Sequence, residues 1–291
     1  MTKKDGIRVG IMCFAALTGM FLWGALPCAA TENTSEDKGI PLMDRVQAAG
    51  KNTQKFLGEG ASSLAESDPD FAAIHTRLVY GEIAEHGTLD DTQRVLVTLV
   101  TLTASQTLED IKQHTEAALR VGVSPVLIKE ALYQCAPYIG FPKTECSLRL
   151  VNAVFLEHDI ALPLASQATV TESSRFSDGL AVQKRIFGSA IDTMHATSPE
   201  DQKDLVVHHL SAFCFGDFYT RRGLDLKTRE LLTFAIISAL GGCDAQVKAH
   251  AQGNAHVGNS KQQLIDVLTQ MLPYIGFPRT LNALNCVNTV L

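Results

Sequence analysis

Three residues near the C-terminal end of the chain have the types and spacing to carry proton or thiol chemistry: Glu230, Cys243 and His250. Glu230 lies inside the strongly apolar stretch 226–240, where a carboxylate is costly to bury unless it is paired. Cys243 and His250 are seven positions apart, about two helical turns, so on one helix they share a face. Gln246 lies between them on that face. Cys243 falls at a helix start, where unpaired N–H groups and the helix dipole favour a thiolate. An acid and an imidazole can exchange protons with a substrate, and a thiolate can reduce a peroxide by becoming a sulfenic acid. Each residue also has a plainer reading. Cys243 can be a buried apolar side chain, Glu230 can pair with Arg229 or Lys227, and His250 can be a surface imidazole. His208, His209 and His256 are assigned no role.

The elements that must position these residues are helical. Residues 226–240 form an apolar run too long for an ordinary strand, and Gly241-Gly242 ends it as glycines end helices. A second helix covers 244–257 and closes at Gly258. Ser260-Lys261-Gln262-Gln263 is a capping box for the next, which runs to about Tyr274 before Gly276 and Pro278 break it, and 279–291 forms the last. Ser124-Pro125 opens a helix as N-cap and N1 proline, and Ser198-Pro199-Glu200-Asp201 opens another upstream. No stretch alternates as strands joined by hairpin turns do.

The chain also repeats itself. Pro137-Tyr138-Ile139-Gly140-Phe141-Pro142 recurs as Pro273-Tyr274-Ile275-Gly276-Phe277-Pro278, and at that offset of 136 the segment 92–155 aligns on 228–291 without a gap, with 20 identities in 64 columns. In this register Glu230, Cys243, Gln246 and His250 face Arg94, Thr107, Asp110 and His114. Only the histidine persists, so the second copy is the candidate active unit and the first a structural partner. Because Tyr-Ile-Gly-Phe-Pro stands in both copies, it reads as a structural turn. The expected organisation is a signal peptide at 1–30, a first, degenerate repeat at 41–160, a linker at 161–177 and a second repeat at 178–291. The fold class is all-α, two tandem helical repeats packed on each other.

Composition narrows the partners. The formal net charge of −6 and the lack of a basic cluster argue against nucleic acid. Lys3, Lys4 and Arg8, then an almost uncharged run to Leu26, then Cys28-Ala29-Ala30 read as a secretory signal, with an uncleaved anchor as the alternative. Cleavage after Ala30 leaves 261 residues at −8, exported and with no membrane segment. Five cysteines remain, an odd number, so at least one thiol is free or pairs between chains. None forms a CxxC or has zinc spacing, and neither metal nor cofactor is expected.

The motifs Asp225-Leu226-Lys227-Thr228-Arg229-Glu230-Leu231-Leu232, Ala239-Leu240-Gly241-Gly242-Cys243, Lys248-Ala249-His250 and Gln270-Met271-Leu272-Pro273-Tyr274-Ile275-Gly276-Phe277-Pro278-Arg279 resemble the carboxymuconolactone decarboxylase family. The resemblance is strong over 205–291 and weaker over 71–155. It implies the alkylhydroperoxidase D-like helical fold for both repeats and assembly into homo-oligomers, plausibly trimers. It also divides the chemistry. The peroxidase branch carries a CxxC with a histidine four residues later; Cys243 and His250 match, but Gln246 replaces the second cysteine. The decarboxylase branch does not need the pair, and there Glu230 and His250 would serve as acid and base. The leading expectation is cofactor-free decarboxylation, or related acid/base chemistry, on a small lactone or carboxylate. The alternatives are a thiol-dependent peroxidase using Cys243 and a non-enzymatic exported helical scaffold.

Trp23 is the only tryptophan and lies within the expected signal. Protein purified from the exported fraction should therefore show tyrosine emission alone. Tryptophan emission from that fraction would mean the segment is retained.

Overall fold

The computed structural model describes residues 42–58 and 64–291, and the expected signal peptide and position 41 lie outside them. Among the described residues every regular element is helical. The first repeat comprises α1 (Leu42–Leu57), α2 (Pro69–Thr76) with a π-helical turn over Arg77–Glu82, α3 (Asp91–Ser105), α4 (Ile111–Arg120), α5 (Pro125–Tyr133), α6 (Ala136–Ile139) and α7 (Phe141–Glu157). The second comprises α8 (Arg175–Phe187), α9 (Ala190–Thr197), a π-helical stretch Asp204–Tyr219, α10 (Leu226–Leu240), α11 (Asp244–His256) and α12 (Lys261–Val290). No described helix is long and apolar enough to cross a membrane.

The local signals act as their chemistry requires. Asp225 and Ser124 cap α10 and α5, and Ser260 closes a reciprocal capping box with Gln263 on α12. Gly276 takes a positive φ of 71° and kinks α12 between Pro273 and Pro278. Two boundaries differ from the sequence reading. The segment after Pro199 opens as a 3-10 turn, Glu200–Gln202, and continues as a π-helix. Helix α8 begins at Arg175, inside the stretch read as linker, because Asp217 pairs with Arg175 and holds the start of the helix.

The two repeats do not form separate cores. One apolar cluster takes Leu96, Leu99 and Leu132 from the first and Leu231, Phe234 and Val267 from the second, all essentially inaccessible. Contacts between α3 and α10 and between α3 and α12 join the copies. Each repeat also packs its opening helix on its π-helical segment through glycine. A Cβ on Gly216 would lie 2.1 Å from the Arg175 carbonyl, and one on Gly81 2.2 Å from the Arg45 carbonyl.

The paired copies also correct the alignment. Asp90 and Asp225 cap equivalent helices of 15 residues each. Arg94 donates to Gln270, and Gln270 donates to Thr98. Arg229 donates to Gln134, and Gln134 donates to Thr233. These matching bonds equate Arg94 with Arg229 and Thr98 with Thr233, an offset of 135 in this helix. The Gly241-Gly242 turn supplies the extra residue that restores 136 at His114 and His250. The counterpart of Glu230 is therefore Val95, not Arg94.

Gly216→Ala should lose about 1–3 kcal/mol, the usual cost of overpacking, because the new methyl meets rigid backbone. Gly50→Ala, in α1 with open space at its Cβ, should gain up to about 1 kcal/mol from helix propensity. Urea denaturation of both variants tests this; equal stability would show that the α8 crossing can give way.

Candidate active site

Glu230 on α10 is fully buried, and its two oxygens face different partners. Oε2 lies 2.9 Å from His250 Nδ1 on α11, and Oε1 accepts from the Tyr219 hydroxyl at 2.7 Å. The Asn254 amide donates to the carbonyls of both Glu230 and His250, at 3.0 and 2.8 Å, and so ties the two helices together. Gly253 allows their approach, since a Cβ there would stand 3.0 Å from Glu230 Oε2 and 2.7 Å from Ile186 Cγ2. The edges and faces of Phe187 and Tyr138 fix the imidazole plane, with ring centroids 5.2 and 5.8 Å away and nearly perpendicular.

This geometry sets the imidazole's roles. An ionised carboxylate only accepts, so Nδ1 donates to Glu230 and the reactive position is Nε2. Nε2 has no hydrogen-bond partner among the described residues, and His250 lines a cleft of about 700 Å³. The cleft walls are mostly apolar, with Phe187, Met194, Leu210 and Phe213 among them, and the polar side chains besides His250 are Tyr138, Gln183, His209, Cys214 and Gln246. No lysine, arginine or carboxylate is among the residues lining it.

Behind the carboxylate runs a directional chain. Tyr219 spends its single proton on Glu230, so it accepts from Tyr138 at 2.8 Å and from Thr233 at 2.7 Å. The Cys214 thiol contacts the Tyr138 hydroxyl at 3.7 Å. Burial, reinforced by the neighbouring acid Glu230, raises both tyrosines well above their ordinary value and keeps them neutral donors. Burial also pushes the Cys214 thiol up to about 12, so it stays protonated near neutrality.

Of the three residues singled out in the sequence, the structure brings Glu230 and His250 together. Glu230 does not pair with Arg229, whose guanidinium turns to Glu130 and Gln134. Cys243 stands at the N-cap position of α11 without a side-chain capping bond, its Sγ 3.4 Å from the Gly241 carbonyl, and is not among the residues lining the cleft. All five described cysteines are free. Among the described residues no group of His, Cys, Asp and Glu is arranged to hold a metal ion. Sequence reading missed Tyr219, Tyr138, Cys214 and His209. One signal was present in the duplicated Tyr-Ile-Gly-Phe-Pro: Tyr138 of the first repeat packs on His250 of the second, and Tyr274 of the second packs on His114 of the first. Each tyrosine serves the other copy's histidine.

The equivalent place in the first repeat is nearly closed. Val95, Arg94, Tyr80, His114 and Tyr274 surround a space of only about 30 Å³, and the Arg94 guanidinium is bound to the carbonyls of Ile83 and His86.

The carboxymuconolactone decarboxylase family model matches the chain twice, over residues 69–153 and 205–289. A 4-carboxymuconolactone decarboxylase from Acinetobacter baylyi is 26% identical over 108 residues, covering 37% of this chain and 81% of the relative. An uncharacterized 15.0 kDa protein of Paracoccus denitrificans is 26% identical over 107 residues, covering 36% and 80%. A solved structure described as a gamma-carboxymuconolactone decarboxylase subunit from Burkholderia xenovorans is 17% identical, with a TM-score of 0.49, covering 82% of this chain and 94% of that one.

The first repeat's histidine gives a pH test. Burial, with a smaller contribution from His75, draws His114 from 6.5 down to about 4. Between those values the unfolded chain binds a proton that the folded chain refuses, so stability falls as pH drops below 6.5 and levels off below about 4. At 1.36 kcal/mol per unit the loss totals roughly 3 kcal/mol. His114→Gln should lose about 2 kcal/mol less than the parent between pH 7 and 4.5 in urea titrations. Equal losses would remove His114 from the acid limb.

Proposed function

Because the chain belongs to the carboxymuconolactone decarboxylase family, we propose that it carries out proton-transfer chemistry, decarboxylation foremost, on a small and largely apolar lactone or carboxylate. The observation that carries this reading is the buried Glu230–His250 pair, joined through Nδ1, with His250 lining the cleft. In the proposed step the substrate carboxylate leaves as CO₂, and its bonding electron pair remains on the carbon next to the lactone carbonyl. Protonated His250 delivers the Nε2 proton to that carbon and becomes neutral, to be recharged from solvent. Glu230 is the positioning residue: it holds Nδ1–H and stabilises the imidazolium while it carries the proton. Tyr219 and Asn254 hold Glu230 in turn.

The walls bear on the substrate. Without a lysine or arginine in the lining, a bound carboxylate has only the imidazoles of His250 and His209 for cationic partners. This favours a substrate with one carboxylate and an apolar body over a dicarboxylate. The exposed Phe277 and Leu281 supply apolar surface for the homo-oligomer that belongs to the same proposal.

The test is a panel of His250→Asn, Glu230→Gln and Cys243→Ser. Each is assayed for CO₂ release from a carboxylated lactone and for peroxide consumption with a dithiol donor. The first two should each lose ~10²–10⁴-fold in CO₂ release, the usual worth of a general acid or base, and Glu230→Gln should also move the pH–rate profile. Cys243→Ser should keep most of the activity. Peroxide turnover abolished by Cys243→Ser would replace this reading with thiol peroxidation. Silence in both assays from a folded chain would leave a helical scaffold.

A further inference from the structure

A second cavity, of about 430 Å³, lies away from the His250 cleft and shares no lining residue with it. It forms where the connection between the repeats, Leu162 to Gln167, passes over α5. The connection is anchored there: Gln167 accepts from the Arg222 amide at 2.9 Å, and Thr169 donates to the Thr220 carbonyl at 2.9 Å.

The charges around this cavity do not balance. Glu130 is the one carboxylate among its lining residues, and it is already shared by two guanidinium groups, Arg221 and the fully buried Arg229. Lys129, only 9% exposed, has no acidic partner among the described residues. Its Nζ bonds to the neutral Asn152 side chain and stands 5.9 Å from the centre of the Tyr133 ring. Arg221 lies over the same ring at 5.2 Å, and its Nη1 makes no hydrogen bond, since the contacts to Glu130 use Nε and Nη2. Three cations therefore face one anion. A buried charge without a counter-charge is costly, and burial alone draws Lys129 below its ordinary value.

We propose that this cavity is a binding site for a small organic carboxylate. The carboxylate would lie between Lys129 Nζ and Arg221 Nη1, whose unused donors can take both of its oxygens. The apolar body would lie against Tyr133, Leu162 and Leu164. The second repeat has no equivalent, because Ile265 and Thr269 stand where the first has Lys129 and Tyr133. The site is independent of the chemistry assigned to His250.

Calorimetric titration of the full chain with benzoate, benzamide and inorganic phosphate tests the proposal. Benzoate should bind the parent chain at least about tenfold more tightly than benzamide, since hydrogen bonds between charged groups are the stronger ones. Lys129→Met should weaken benzoate about 10–100-fold and leave benzamide unchanged, and in His250→Asn, which weakens any binding at the cleft, a benzoate site with the same Lys129 dependence should remain. Should Lys129→Met fail to fold, Lys129→Gln keeps a bond to Asn152, removes only the charge, and should show the same loss. No benzoate binding, or binding unaffected by loss of the Lys129 charge, overturns the site. Loss of benzoate binding in His250→Asn assigns the ligand to the cleft and also overturns it. Phosphate binding as tightly as benzoate overturns the organic carboxylate as its ligand.

Discussion

Two opposite charges stand side by side on one buried helix and do not satisfy each other. Arg229 and Glu230 are both inaccessible, and adjacent residues on a helix point about 100° apart. Each must find its partners on a different side. Arg229 reaches into the first repeat, to Glu130 and Gln134, and also binds the carbonyls of 221 and 222 in its own repeat. Glu230 reaches to His250 and Tyr219 within the second. A burial so expensive is possible only if both repeats are in register. The joint between the repeats and the candidate site are thus set by two consecutive side chains on one rigid element.

That arrangement explains why the duplicated copies could diverge so differently. The arginine, the glutamine and the threonine that join the repeats are present twice, as Arg94, Gln270 and Thr98 and as Arg229, Gln134 and Thr233. Losing either glutamine would remove an acceptor that a buried guanidinium finds on the other repeat. The acid is free of that constraint: replacing it by Val95 removes a buried carboxylate together with the need to hydrogen-bond it. Its histidine is then left against Tyr274 in a space of about 30 Å³, room for no more than about one water. The first repeat has become support, and it still lends Tyr138 and Gln134 to the second.

Much of the fold was legible because it is fixed by short-range chemistry. The bounds of α10 follow from Asp225 and Gly241, the start of α12 from Ser260 and Gln263, and its kink from Gly276. The pairing of Glu230 with His250 was legible as an acid and an imidazole with few alternatives. Less accessible was anything set by packing between distant segments. Tyr219 stands 81 residues from the Tyr138 hydroxyl that it accepts from, and neither has a local signature. The π-helical winding of Asp204–Tyr219, which brings both Cys214 and Tyr219 to the site, leaves no mark in the apolar spacing. The one-residue slip at Gly241-Gly242 was missed because the offset of 136 was carried through without a gap, although an offset of 135 aligns Asp90, Arg94, Leu96 and Thr98 with Asp225, Arg229, Leu231 and Thr233, and the hydrogen bonds confirm Val95 as the counterpart of Glu230. Cys243 drew attention through its place at a helix start, yet helix position says nothing about which cavity a side chain reaches.

The thiol at the cleft is instead Cys214, and its surroundings bear on which chemistry the wall supports. A peroxidatic thiolate needs nearby positive charge or a helix N-terminus to favour it. Cys214 has a buried carboxylate three hydrogen bonds away through Tyr138 and Tyr219, and no lysine or arginine lines the cleft beside it. Burial is the larger cause that holds this thiol protonated, and Glu230 adds to it. A carboxylate fixed by Tyr219 holds the imidazole of His250 by its Nδ1, while its charge adds to the burial that disfavours a thiolate at Cys214. One buried anion thus orients the imidazole and adds to what opposes the thiolate.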